Sequence, residues 1–296
     1  MAQILDGKTL CNTIAERLKT AIESHGSTYR RPGLAIIQVG DNKESTAYIE
    51  GKKKFGTSVG IETRHIHLSE HVSELDVVGE IQKLNSDDAI DGIIVQLPLP
   101  KALTQDVSTL DRIIESIDPR KDVDGLTSAS IKGLWMNDKS TFMPATTRGI
   151  LTMLDYYGVS IPGKNVVIIG RSRLVGKPTA LAFLNLGATV TVCHSETKNL
   201  EYHTTSADIL ITAVGQPRLI TESHVRPGQY VIDVGITIEE IAEKDPLKKK
   251  LSGDVELEYV SRIVKAISPV PGGVGPMTRA SLFENTYDAY VKNIVL

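Results

Sequence analysis

Leu10, Ile14, Leu18 and Ile22 recur at every fourth position, the spacing of a helix with one apolar stripe. The period then changes. Residues 33–40 (GLAIIQVG) form a short apolar run closed by glycines, which predicts a buried strand. Asp41-Asn42 opens a turn. Residues 45–60 read as a helix with Tyr48 and Lys52 four apart, and residues 61–68 as a second strand. Val72, Leu75, Val78, Ile81 and Leu84 mark another helix. Residues 91–97 (DGIIVQL) are a third strand, stopped by Pro98 and Pro100, and residues 103–117 return to a helical period.

Residues 118–144 read as a loop containing Lys121-Asp-Val-Asp-Gly125, and 147–157 as a connecting helix. A second series starts at residues 165–170: strand, turn, helix to 187, and a strand over 188–193. Further strands are expected over 208–214, 230–234 and 263–268. The charged stretch 239–250 reads as a loop, its Lys248-Lys249-Lys250 being either a solvated run or an anion patch. Residues 277–294 predict a closing helix that packs back on the first domain. Strand and helix alternating in this way imply parallel sheets covered on both faces.

Composition narrows the picture. A chain of 296 residues suggests two domains at about 150 residues each. The apolar fraction of 41% is enough to bury sizeable cores and excludes a disordered chain. Thirty-three basic against 36 acidic residues give a net charge of −3, without the basic excess expected of a nucleic-acid-binding protein. Two cysteines far apart, Cys11 and Cys193, supply neither a disulfide framework nor a cysteine zinc site, and they fit a reducing compartment. No apolar run approaches the ~20 residues of a membrane span, and the N-terminus lacks a signal-peptide core, so a cytoplasmic protein with no membrane partner and no metal is expected.

Four segments carry candidate chemistry. In Val166-Val-Ile-Ile-Gly170-Arg171-Ser172-Arg173-Leu174-Val175-Gly176, a buried strand runs through a glycine turn into a helix, whose N-terminus offers N–H groups and a positive dipole end to a phosphate. Gly170 permits the turn and Gly176 a close helix-to-strand approach, although Ser172 and Val175 stand where the full dinucleotide fingerprint has glycine. The next strand ends at Cys193-His194-Ser195 with no acid at its tip to bond a ribose. Arg171, His194 and Ser195 therefore suggest a ribose phosphate, and so NADP; His194 alone also reads as a strand-end histidine with a local hydrogen bond.

Tyr48 and Lys52 share one helical face, and a lysine in a closed apolar pocket is a candidate proton carrier. Lys52-Lys53-Lys54 equally reads as a solvated basic run. Gln96 interrupts an apolar strand at its carboxyl end, where open α/β sheets bind ligands, and serves either a structural bond or a ligand. Asp124 can accept paired N–H groups from a ligand or close its own turn. Ser268-Pro-Val-Pro-Gly-Gly-Val-Gly-Pro-Met-Thr278 is a loop of fixed geometry that either admits close backbone approach to a ligand or forms a hinge.

These motifs together resemble the bifunctional methylenetetrahydrofolate dehydrogenase/cyclohydrolase family of one-carbon metabolism. The resemblance runs from Ile4-Leu-Asp-Gly-Lys8 to the last helix and is most specific at Val95-Gln-Leu-Pro-Leu-Pro100, Lys121-Asp-Val-Asp-Gly125, Gly170-Arg-Ser172 and Pro269-Val-Pro-Gly-Gly-Val-Gly-Pro-Met-Thr278. It implies a two-lobed α/β protein. An N-terminal parallel α/β domain (1–146, completed by helix 277–296) would bind folate, a C-terminal Rossmann-type domain (147–276) would bind NADP, and a cleft would lie between them. By resemblance Lys52 is the catalytic lysine, Tyr48 positions the substrate, Gln96 tunes the lysine and Asp124 binds the pterin. Val95, Leu97, Pro271, Gly272, Gly273, Val274, Gly275, Pro276, Met277 and Thr278 line the folate site. Gly170, Arg171, Ser172, His194, Ser195 and Ile236 meet NADP. Tetrahydrofolate derivatives are the implied substrates and a homodimer the implied assembly.

Pro144-Ala-Thr-Thr147, Lys43-Glu44-Ser45 and Arg279 depart from the family's usual residues, without removing a named catalytic group. A monofunctional dehydrogenase would lack the lysine or carry an acid at the strand tip. A non-catalytic binder would have no need of Lys52, Gln96 and Asp124 together.

Overall fold

In the computed structural model, residues 1–26, 28–106, 108–240 and 249–295 are described. The elements follow the order β1 (Gln3–Ile4), α1 (Gly7–Ser24), β2 (Gly33–Val39), α2 (Lys43–Val59), β3 (Glu62–Leu68), α3 (Glu74–Asn85), β4 (Gly92–Val95), α4 (Thr109–Glu115), α5 (Ser128–Trp135) and α6 (Ala145–Tyr156). They continue with β5 (Asn165–Ile169), α7 (Gly176–Asn185), β6 (Thr189–Cys193), α8 (Leu200–Ser206), β7 (Ile209–Thr212), β8 (Tyr230–Asp233), β9 (Thr237–Glu240), β10 (Lys249–Ser252), α9 (Leu257–Val260), β11 (Ala266–Ile267) and α10 (Val274–Val295).

Residues 12–145 and 279–296 form one unit, and residues 1–11 and 146–278 the other. In the first unit β2 lies between β3 and β4 in a parallel three-stranded sheet. Every residue of β2 and β4 is buried, as parallel strands covered on both faces require. Ala35, Ile37, Val39, Ile93 and Val95 face Val77, Ile81 and Leu84 of α3 and Ile113 of α4 in one core. Asn42 caps α2 by accepting the Ser45 N–H at 2.8 Å, and Gly60 ends it at φ 85°. The closing helix completes this unit. The Phe283 ring lies 5.0 Å from that of Phe55, and Asn285 donates to the carbonyls of Val123 (2.8 Å) and Met143 (3.0 Å).

The second unit is a six-stranded parallel sheet in the order β1-β11-β8-β7-β5-β6. The chain leaves β5 to one side for β6 and returns to the other side for β7, so the strand order reverses at β5. Open α/β sheets take ligands at the carboxyl ends beside such a reversal.

Several expectations need correction. The first domain is read from residue 1, and its first strand, β1, pairs with β11 of the second sheet. The helix expected over 103–117 starts only at Thr109, because Asp106 takes the Ser108 N–H (3.0 Å) and hydroxyl (2.6 Å), a local side-chain alternative to helical bonding. The expected loop 118–144 contains α5, capped by Thr127. Helix α8 was not anticipated. The expected charged loop 239–250 begins and ends in an antiparallel ribbon of β9 and β10; Lys248 lies outside the described residues.

Candidate functional site

In the first unit the site is built at the carboxyl end of β4. The Gln96 N–H donates to Ile37 O at 2.8 Å, which prolongs the sheet register by one residue. Its side-chain Nε2 donates to Leu97 O at 2.8 Å. That bond fixes the amide, so Oε1 is left to accept, and it accepts Lys52 Nζ at 2.9 Å. Leu97-Pro98 is a cis peptide, and buried Val95 precedes the glutamine. Tyr48 lies one turn before Lys52 on α2 and is half exposed; burial of its hydroxyl and the nearby Glu44 raise its pKa.

Lys52 keeps some surface open to solvent, but desolvation dominates its ionisation and holds its pKa below the usual lysine value, against the opposing pull of Asp124. Asp124 is shifted the other way. Burial raises its carboxyl pKa, Lys52 opposes this, and Asp122 adds to it. An amine and a carboxyl group that both resist charging are the ingredients of a proton-handling site. Lys52, Gln96 and Asp124 are thus brought together from three separate segments.

Asp122, which the sequence did not single out, anchors the loop that carries Asp124. It is 1% exposed and accepts from Leu126 N (3.1 Å), Thr127 N (2.8 Å), Thr127 Oγ1 (2.7 Å) and Ser130 Oγ (2.6 Å). Gly125 has φ 70°, and a Cβ there would meet Pro144 N at 2.6 Å. Buried Lys121 donates to Leu84 O and Asp87 O. The motif Lys121-Asp-Val-Asp-Gly125 therefore divides its labour: Lys121, Asp122 and Gly125 fold the loop, and Asp124 is left without such a role. Arg279, one of the departures, lies in the same unit with its guanidinium 5.4 Å above the Phe55 ring.

In the second unit the nucleotide candidates gather at the carboxyl ends of β5 and β6. A Cβ at Gly170 would lie 2.5 Å from Ala213 O, and one at Gly176 2.1 Å from Gly170 O, so side chains at either position would force the backbone apart. One expectation fails here. The first turn of α7 offers few open donors: Ser172 Oγ accepts from Val175 N and Gly176 N at 3.2 Å each, Ser172 O accepts from Lys177 N, and Pro178 has no N–H. Arg171, Ser172 and Ser195 are exposed beside this turn. His194 Nδ1 accepts the Glu196 N–H at 3.3 Å, a local bond within the turn that follows the strand.

Arg171 Nη2 lies 3.0 Å from Glu196 Oε1. The strand tip therefore does have an acid nearby, in the loop two residues beyond His194 rather than on the strand. Ile236 is 42% exposed, and its Cδ1 would lie 3.8 Å from a Cβ at Gly275, so it adjoins the glycine loop. That loop contains the cis peptide Val270-Pro271 and Gly272 at φ 108°. Gly273 N donates to Pro269 O at 2.8 Å; Val274 and Met277 are buried, and Pro276 and Thr278 partly so.

Two further acids were missed. Asp254 accepts from Thr212 Oγ1 (2.9 Å), Val214 N (2.8 Å) and Gln216 N (2.8 Å), and Asp233 accepts from Gly235 N, Asp254 N and Val255 N at 3.0 Å each. They brace the loops after β7 and β8, beside the strand reversal. The detectable signal was the pair of short motifs Asp233-Val-Gly and Gly253-Asp-Val, each setting an acid next to a glycine. A Cβ at Gly235 would strike Asp254 Oδ1 at 2.1 Å, and one at Gly253 would strike Asp233 Oδ2 at 2.0 Å.

The fold and these residues define an α/β enzyme of the dinucleotide-binding class that also carries a desolvated lysine–amide–carboxylate centre. Residues 5–124 match the catalytic domain of the tetrahydrofolate dehydrogenase/cyclohydrolase family, and residues 144–294 match its NAD(P)-binding domain. The bifunctional protein FolD of Acetivibrio thermocellus is 43% identical over 288 residues, covering 97% of this chain and 96% of its own. The FolD methylenetetrahydrofolate dehydrogenase/cyclohydrolase structure from Campylobacter jejuni is 40% identical, with a TM-score of 0.92 and 99% of each chain covered. The corresponding Trypanosoma brucei enzyme, solved with NADP and an inhibitor, is 32% identical with a TM-score of 0.93, covering 99% of this chain and 98% of its own. The chain belongs to the tetrahydrofolate dehydrogenase/cyclohydrolase family, and its activities are those of a methylenetetrahydrofolate dehydrogenase and a methenyltetrahydrofolate cyclohydrolase.

Proposed function

We propose that the protein oxidises 5,10-methylenetetrahydrofolate with NADP⁺ and then hydrolyses the methenyl cation to 10-formyltetrahydrofolate, with Lys52 as the proton carrier of the second step. The observation that carries this reading is the 2.9 Å bond from Lys52 Nζ to Gln96 beside Asp124, in surroundings that lower the lysine's pKa.

NADP⁺ supplies the hydride acceptor. The first step needs alignment more than proton transfer, because the folate nitrogens stabilise the resulting cation. Hydrolysis differs. Water adds to the bridging carbon and must lose a proton, and the bond from that carbon to N5 then breaks as N5 gains one. A neutral lysine takes the first proton and gives it to N5, and the hydroxyl left on the carbon loses its remaining proton to solvent as the formyl carbonyl forms, so one proton is released overall. The neutral Gln96 oxygen orients the amine without locking it as an ammonium, as a carboxylate would.

Asp124 receives N–H donors of the pterin, Tyr48 borders the substrate, and Val95, Leu97 and residues 271–278 line its site. Gly170, Arg171, Ser172, His194, Ser195 and Ile236 hold the dinucleotide; the exposed guanidinium of Arg171 at the end of β5 fits a ribose phosphate. Residues 1–146 with 277–296 serve folate and 147–276 serve the cofactor, except that residues 1–11 join the latter. The protein acts as a homodimer in the cytoplasm, in one-carbon metabolism that feeds purine biosynthesis. No helix among the described residues is long and apolar enough to cross a membrane.

The test is the absorbance of reduced nucleotide when purified protein meets methylenetetrahydrofolate with NADP⁺ or, in parallel, NAD⁺, followed by methenyl hydrolysis on the same preparation. NADPH formation and hydrolysis together support the reading. NAD⁺ used as well as NADP⁺, or hydrolysis absent, overturns it.

A further inference from the structure

Strands β5 and β6 are parallel neighbours with Ile169 opposite Cys193, so the residues that follow them emerge side by side. Arg171 follows the first strand and Glu196 the second, and their side chains meet at 3.0 Å. In dinucleotide-binding sheets the adenosine ribose sits at the end of this second strand; an acid there bonds the ribose hydroxyls, and an arginine accommodates a 2′-phosphate. This chain has both, and it has paired them with each other. The Glu196 backbone is fixed as well, since its N–H donates to His194 Nδ1 and the loop closes through Thr197 N to His194 O.

We propose that Glu196 is a specificity-determining residue: an internal counter-ion that occupies Arg171 until a 2′-phosphate displaces it. The proposal rests on the reading that Arg171 receives this phosphate. A phosphate arriving at Arg171 must break the ion pair and leave a carboxylate beside an anion. A ribose bearing a 2′-hydroxyl disturbs nothing and gains an acceptor. Glu196 therefore moderates the preference that Arg171 creates. Both side chains are largely exposed, at 52% and 75% of their surfaces, so the effect is modest, about two- to fivefold in affinity on the scale of exposed ion pairs.

The experiment measures KM for NADP⁺ and for NAD⁺ in the dehydrogenase assay for the wild type, Glu196→Gln, Arg171→Ala and the double variant, at low and moderate ionic strength. Glu196→Gln should lower KM for NADP⁺ about two- to fivefold and leave KM for NAD⁺ unchanged or raised. The gain should be smaller at higher salt and smaller in the Arg171→Ala background, where there is no guanidinium to release. A Glu196→Gln enzyme with unchanged KM for NADP⁺, or with the same gain whether or not Arg171 is present, overturns the proposal while leaving Arg171 as the phosphate ligand. Arg171→Ala weakening both nucleotides equally removes the reading beneath it. Circular dichroism of each variant separates these outcomes from misfolding.

Discussion

Gln96→Glu is the most informative single substitution at the lysine. It preserves size and shape and places a carboxylate oxygen where the amide oxygen now accepts Lys52 Nζ at 2.9 Å. At an effective dielectric of about 20, two unit charges at that distance attract by roughly 6 kcal/mol. Desolvation of the new carboxylate cancels much of that, and opposite charges at contact usually shift a pKa by about 1–3 units. The shift is upward, since the carboxylate stabilises the ammonium and undoes the desolvation that now holds Lys52 down. Each unit of upward shift leaves about tenfold less neutral lysine at a fixed pH below the pKa. Hydrolysis of methenyltetrahydrofolate near pH 7 should therefore fall about ten- to thousandfold, with its acid limb moved to higher pH. Hydride transfer, which has no proton to move, should change by less than about tenfold. The assay follows both reactions over pH 5.5–9.5 in ~0.5-unit steps on one preparation, fine enough to resolve a shift of one unit. Hydrolysis that keeps the wild-type profile, or loses as much as hydride transfer at every pH, would refute the proton-carrier role of Lys52.

Four further outcomes are expected. Lys52→Met should reduce hydrolysis about 10²- to 10⁴-fold, the usual worth of a general acid–base group, and hydride transfer much less; paired rate measurements decide this. Asp124→Ala should raise the dissociation constant for folate about tenfold or more, on the strength of a charge-assisted bond of ~1.5–3 kcal/mol, and leave that for NADP⁺ unchanged; separate titrations of the two ligands check it. Asp122→Ala removes a buried acceptor serving four donors and should destabilise the protein by about 3 kcal/mol in urea unfolding, where a loss below ~1 kcal/mol would deny it the loop-anchoring role. Burial raises the Asp233 carboxyl from its usual 3.8 to about 7, so the folded state binds a proton that the unfolded chain has released. Its contribution to stability is thus complete below pH 4 and lost as pH rises towards 7, and Asp233→Asn should flatten the melting temperature across that window.

Much of the fold was legible in the apolar runs. Residues 33–40, 91–97 and 165–170 are mostly apolar rather than alternating because parallel strands are buried on both faces, and each yielded its strand to within a residue or two. The misses share a cause: their signals are short or non-local. Strand β1 is two residues long and exposed, and it exists only because β11 offers it an edge some 260 residues away in sequence. Helices α5 and α8 have eight and seven residues, too few for a period to stand out. The ribbon of β9 and β10 is written in charged residues whose pairing, not their apolarity, defines it.

The candidate site divides in the same way. Lys52, Gln96 and Asp124 were each ambiguous alone, because a lysine run, a strand-end amide and a turn aspartate all have ordinary structural uses. What the structure adds is convergence: α2, the end of β4 and the loop carrying Asp124 bring an amine, an amide and a carboxyl group into mutual influence, and no local window contains that information. The supporting acids Asp122, Asp233 and Asp254 stand in recognisable short motifs, but their role is illegible for the complementary reason, since their partners are mainly backbone N–H groups whose directions exist only after folding. Glu196 shows the limit most sharply. Counting along the strand places no acid at its tip, but the turn that closes from Thr197 N to His194 O brings the carboxylate back to Arg171. The pairing of acid and arginine is therefore visible only when two neighbouring strand ends are read together, and a rule that inspects only one of them assigns the arginine a freedom it does not have.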